Sequence, residues 1–248
     1  VYTEKEIVSM LTNFSICSIG FFGVLVSIGG IVDLYPQVVL TSLVVTFIMG
    51  AIVIRIPPIS IKRNVYPNGE ITKELLQERS QQKDGTRLQR ALDSAIESSG
   101  ELTLKVFFDS FIDAVKFTQR IIAFVLSVAT IALFLTEYTQ IFVYLGKPMI
   151  PYLKLFGISD AAAIAPSTII GITELALPVM LVAGKDIAVS SIFFVVVLSA
   201  VQIIFFAESA IAMLETDAPL NAGELILMFI IRTIIAIPII ALATKLLF

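Results

Sequence analysis

Histidine is absent from the 248 residues and cysteine occurs once, at Cys17. Disulfides within the chain, thiolate or imidazole zinc sites and any histidine-based triad are thereby excluded. The Gly-x-x-x-x-Gly-Lys phosphate loop is missing as well, so ATP or GTP would have to be used by another protein. No basic n-region and cleavage site precede the first apolar run, which is therefore not read as a signal peptide. Charge is sparse: 15% of residues are charged and 57% hydrophobic, with a mean hydropathy of +0.96. Soluble domains carry about 25% charged and about 45 to 50% apolar residues, and a water-soluble fold could not hide this surplus. The fold class expected is an all-α integral membrane protein. No catalytic residue, metal site, cofactor or nucleic-acid partner is expected.

What is present is a series of long apolar runs. A helical crossing needs about 20 apolar residues, and about six candidates occur, at Leu11–Val32, Pro36–Ile56, Phe117–Thr136, Ala161–Ala183, Ile187–Ala207 and Leu225–Leu247. Open strands cannot satisfy their backbone groups in lipid, so these runs read as helices. Between the second and third runs lies a mixed-charge segment, 57–105, which reads as a solvated linker. It leaves the membrane at Pro57-Pro58, turns at Pro67-Asn68-Gly69, passes a flexible stretch near Asp84-Gly85, and leads through an amphipathic helix to Phe117.

Lysine and arginine cluster from Arg55 to Arg120, which places the linker in the cytoplasm. Six full crossings then put Lys5, Lys185 and Lys245 on the linker side and Asp33, Glu215, Asp217 and Glu224 on the opposite, acidic side. If residues 161–184 re-enter instead, Lys185 and Lys245 exchange sides.

The two ends of the chain look alike. Phe14–Ser18 aligns with Leu198–Gln202, Pro36 with Pro219 and Pro57 with Pro238, with spacings that agree to within about two residues. Six crossings make these degenerate repeats parallel. Residues 1–56 are then the last two helices of a first repeat and 106–248 a second repeat, with a further pair of spans expected upstream of Val1.

Polar residues inside the runs are the candidate site. Pro166, Gly171, Glu174 and Pro178 interrupt the fourth run, and Ser167, Thr168 and Thr173 add hydroxyls, which predicts a broken helix. A kink used only for packing is the alternative. A carboxylate in mid-span costs on the order of 2.5 to 3.5 kcal/mol by insertion scales, so Glu174 should face a partner or a cavity. Ionised, it could bind sodium or a cationic group; protonated, it could carry a proton. On a continuous fifth helix Ser199, Gln202 and Ser209 share one face and Glu208 is turned about 100° away. That stripe binds solute or holds helices together, and Glu208 is an outer-gate or an interfacial carboxylate. Arg232, in the last run, needs an anionic partner: Glu174, Glu208 or a substrate group. The segment Gln140–Gly157, with Tyr144, Lys147, Pro148, Pro151, Tyr152 and Lys154, reads as an interfacial anchor or a lid.

Three stretches, Gly171–Pro178 (GITELALP), Phe206–Ser209 (FAES) and Ile231–Pro238 (IRTIIAIP), resemble the YjiH family, as do Glu137-Tyr138-Thr139, Ala163–Pro166 and Arg55–Pro58. That family belongs to the membrane proteins grouped by the nucleoside-recognition or Gate domain, shared with nucleoside transporters and the ferrous-iron permease FeoB. The likeness covers nearly the whole chain except the linker and is that of the C-terminal part of a longer two-repeat member. It implies two Gate-like repeats and transport-like membrane function without specifying a cargo.

The expected function is therefore a transporter or permease subunit in a bacterial inner membrane. It moves a small polar solute, coupled to a proton or sodium ion through Glu174, with Thr173, Ser167, Thr168, Gln202, Glu208, Ser209 and Arg232 contributing to binding. The alternative is a noncatalytic membrane partner or assembly subunit, and either role allows a homo-oligomer or a partner membrane subunit. An intramembrane enzyme would need converging nucleophile, base or metal ligands, and Glu174, Glu208 and Ser209 are too sparse for that.

Overall fold

The structure, a computed structural model, describes residues 2–14, 18–65, 88–89, 92, 96, 104–216 and 218–248. Among these residues the regular elements are helical. They are α1 (Glu4–Phe14), α2 (Ile19–Ile28), α3 (Tyr35–Val53), α4 (Leu104–Tyr138), α5 (Ile141–Gly146), α6 (Met149–Leu155), α7 (Ala161–Ile170), α8 (Leu177–Met180), α9 (Val189–Gln202), α10 (Ser209–Leu214) and α11 (Ala222–Leu247). Three stretches are long and apolar enough to cross a membrane: Glu4–Ile28, Val32–Val53 and Ala222–Leu247. The third expected run lies inside α4, a helix of 35 residues. The expected turn at Pro67-Asn68-Gly69, the stretch at Asp84-Gly85, Cys17 and Asp217 lie outside the described residues.

α9 sits at the centre. From Ser191 to Gln202 every residue is buried, as expected of a helix apolar on all sides. It is flanked by α3, α7, α8 and α11. α11 starts at a capping box, in which Asn221 accepts from Glu224 N and Glu224 reaches back to Asn221 N. It continues through Pro238. Leu225, Met228, Phe229 and Arg232 face inward, while Ile226, Leu227, Ile230 and Ile234 are exposed, the outer stripe that lipid would cover.

Long-range contacts fix the direction of each crossing. At the end where the linker leaves, Glu4 N donates to Val65 O at 2.9 Å and Lys62 pairs with Glu224 at 2.6 Å. The starts of α1 and α11 therefore share that end with the exit of α3. At the far end, the Asp160 carboxylate accepts from Ala188 N (3.0 Å) and Ser191 Oγ (2.7 Å), and the Phe193 and Phe248 rings lie 5.5 Å apart. The starts of α7 and α9 and the end of α11 thus lie together.

This geometry corrects the expected topology. Residues 161–187 leave and return at one end of the bundle, so in this structure they form a hairpin and do not run from one end to the other. α7 has 10 residues, about 15 Å of helix, half of the roughly 30 Å of hydrocarbon. With one crossing fewer, Lys185 and Lys245 lie at the end away from the linker, and Glu215 and Glu224 lie at the linker end, the reverse of the six-crossing expectation. The parallel relation fails for the same reason: α3 runs toward the linker end and α11 away from it. α3 and α11 therefore run in opposite directions.

The fifth run is corrected as well. It was expected to be helical through Ala207, but α9 stops at Gln202 because Ile203 takes φ 65°, a conformation that a β-branched residue rarely adopts and that no helix continues. The chain resumes as α10 only at Ser209.

Candidate functional site

The two interruptions, at 171–176 after α7 and at 203–208 after α9, meet inside the bundle. Phe206 N donates to Ile172 O (2.7 Å) and Ala207 N to Thr173 O (2.9 Å), so each unwound segment supplies partners that its own helix no longer provides. Ser199 Oγ donates to Leu175 O, a third tie. Pro166 does not contribute to the break: it lies inside α7, whereas Pro178 stands in the first turn of α8, where its missing N–H costs nothing.

Gln202, the last residue of α9, is the hub. Its Nε2 donates to Thr168 O and to Thr233 Oγ1, each at 2.8 Å. Among the described residues its Oε1 is buried without a partner, as is the hydroxyl of Ser167. Gly171 permits this arrangement, because a Cβ there would overlap Gln202 Oε1. Gly171→Ala is expected to displace the Gln202 amide and cost about 1 to 3 kcal/mol, measured by thermal unfolding in detergent. A variant as stable as wild type would show that the amide is not held there.

Glu174 Oε2 accepts from Ala176 N (2.8 Å) and Leu177 N (2.9 Å), which caps α8. The bonds between the two breaks hold the segments that carry Glu174 and Glu208 side by side. Glu174 is half-buried and Glu208 exposed. The shared helical face expected for Ser199, Gln202 and Ser209 does not exist, since the break at Ile203 separates Ser209 from the other two. Ser209 Oγ instead bonds Ile203 O and receives Phe205 N at 3.0 Å, tying down the unwound turn. Thr168 and Thr173 direct their hydroxyls to Ala165 O and Ile170 O, each at 2.7 Å.

Arg232 pairs with neither glutamate. It is fully buried, and its guanidinium donates to Gln202 O (3.1 Å), Val201 O (2.8 Å) and Asn13 Oδ1 (2.6 Å). The negative end of α9, with carbonyls that have no further helical partner, takes the place of the expected carboxylate. Asn13 and Thr233 belong to this network and were not singled out in the sequence. An amide in the apolar run around Leu11 could have been found by the argument applied to Glu174, that a polar group in a span needs a partner. The segment Gln140–Gly157 is divided by Pro148 into α5 and α6, and Tyr152 OH reaches Ile234 O at 2.8 Å, so it lies against α11 and not only at an interface. Among the described residues no group of histidine, cysteine, aspartate or glutamate could hold a metal ion.

No family model matches the chain. It is 34% identical over 241 residues to an uncharacterized protein of Alkalihalophilus pseudofirmus. The alignment covers 96% of this chain and 51% of that protein, so the chain spans about half the length of the curated relative it matches. No solved structure matches.

Proposed function

We propose that the chain is part of a membrane transporter or permease that carries a small polar solute, coupled to a proton or a sodium ion at Glu174. The observation that carries this reading is the meeting of two helix interruptions in the bundle interior, with Glu174 and Glu208 beside them. Transporters place solute and ion sites where half-helix ends and unwound backbone face each other. The unpartnered oxygens of Gln202 and Ser167 add two acceptors to the same region. The resemblance to the YjiH and Gate-domain proteins points the same way, and the clustering of lysine and arginine in the linker favours a cytoplasmic linker in a bacterial inner membrane.

A second reading, a noncatalytic membrane partner, is favoured by one observation: Arg232, Thr168 and Ser199 all find partners within the protein. The two readings separate on ligand-dependent stability. Full-length protein is heated with nucleosides, dipeptides or small anions, in sodium or choline buffer, beside Glu174→Gln. A bound solute at ten times its dissociation constant adds about 1.4 kcal/mol, and that gain is expected to vanish in the variant. No gain with any ligand, together with a variant as stable as wild type, would favour the noncatalytic partner.

A further inference from the structure

At the end away from the linker, a cavity of about 290 Å³ opens between the α6–α7 loop, the first turn of α9 and the last turns of α11. Three of its donors have no partner among the described residues: the Lys245 ammonium, the Ser159 hydroxyl and the Ser190 hydroxyl. Each comes from a different one of those three elements, so the donors converge from three sides. Gly157, at φ 80°, lies under the lysine, and a Cβ there would come within 2.7 Å of Lys245 Nζ. Ser190 stands in the first turn of α9. Asp160, the neighbour of Ser159, directs Oδ2 to Ala188 N and Ser191 Oγ and forms no ion pair with Lys245.

We infer that this cavity binds a net-anionic phosphate group. A cation with two free hydroxyls suits a tetrahedral anion with several acceptor oxygens. Ala241 and Phe248 supply an apolar wall, and the exposed Leu242, Leu246 and Leu247 beside it belong to the last turns of a membrane-length helix. The phosphate can thus come from an acidic lipid headgroup at the bilayer surface or from free inorganic phosphate, and the two sources are separable.

Native mass spectrometry of the full chain, given phosphatidylglycerol or phosphatidylcholine, is compared with thermal unfolding in inorganic phosphate. For a lipid headgroup, wild type retains phosphatidylglycerol over phosphatidylcholine, Lys245→Gln lowers that retention about fivefold and Lys245→Arg keeps most of it. For the free ion, inorganic phosphate raises the unfolding temperature of wild type and not of Lys245→Gln, without selective lipid retention. Lys245 is exposed, so its loss leaves folding intact, and Lys62→Gln at the opposite end is expected to change neither readout. The Ser159→Ala, Ser190→Ala double variant provides a second, uncharged test. If Lys245→Gln and the double variant match wild type in both experiments, the cavity holds no such anion.

Discussion

Arg232→Met is expected to destabilise the protein by about 3 kcal/mol, roughly a hundredfold in the folding equilibrium. Replacing a buried ion by an apolar residue is often harmless when both partners are replaced together. Here two of the three acceptors are the backbone carbonyls of Val201 and Gln202, which no substitution removes. Without the guanidinium, Val201 O and Asn13 Oδ1 lose the donor that the structure gives them, while Gln202 O keeps only Ile204 N, at the negative end of α9. Arg232→Lys should recover only part of the loss, because an ammonium cannot span acceptors on two helices as a planar fork does. Asn13→Leu combined with Arg232→Met should cost less than the sum of the single changes, since the two share one bond. Unfolding in detergent measures all of these, and an Arg232→Met protein as stable as wild type would sink the proposed role.

The second large effect is an all-or-none difference in labelling. In a Cys17→Ser background, which removes the only cysteine, single cysteines replace Lys5, Lys185 or Lys245 in separate variants. A reagent that cannot cross the membrane should reach positions 185 and 245 from one face and position 5 from the other. The prediction follows from two contacts, Asp160 with Ala188 and Lys62 with Glu224, which put the foot of the α7–α8 hairpin and the start of α11 at opposite ends. Labelling of all three positions from one face would restore six full crossings and the parallel repeat with them.

Individual residues show how far the reading of the chain could go. The apolar runs around α3 and α11 were legible to within about three residues, because a crossing needs length and hydropathy and both are local properties. That Gln202 and Arg232 each needed a hydrogen-bonding partner was legible too, since an isolated polar group in an apolar run must be satisfied, but the anion expected beside Arg232 is not what the structure places there. The actual partner of Arg232 was not legible. A helix end becomes a partner only where a helix stops, and nothing in Gln202-Ile203-Ile204-Phe205-Phe206 announces a stop: no glycine or proline stands there. The face argument for Ser209 failed at the same place, because helical periodicity assumes a continuous helix.

Composition and the length of the apolar runs, then, determined that this is a chain rich enough in apolar residues for membrane helices. Only the tertiary structure decided that residues 161–187 turn back, that α3 and α11 run in opposite directions, and that Arg232 holds the end of α9 and not a carboxylate. Hydropathy records how much apolar surface a segment carries. Whether that surface meets lipid or another helix is settled by contacts such as Asp160 with Ala188, between residues far apart in the chain.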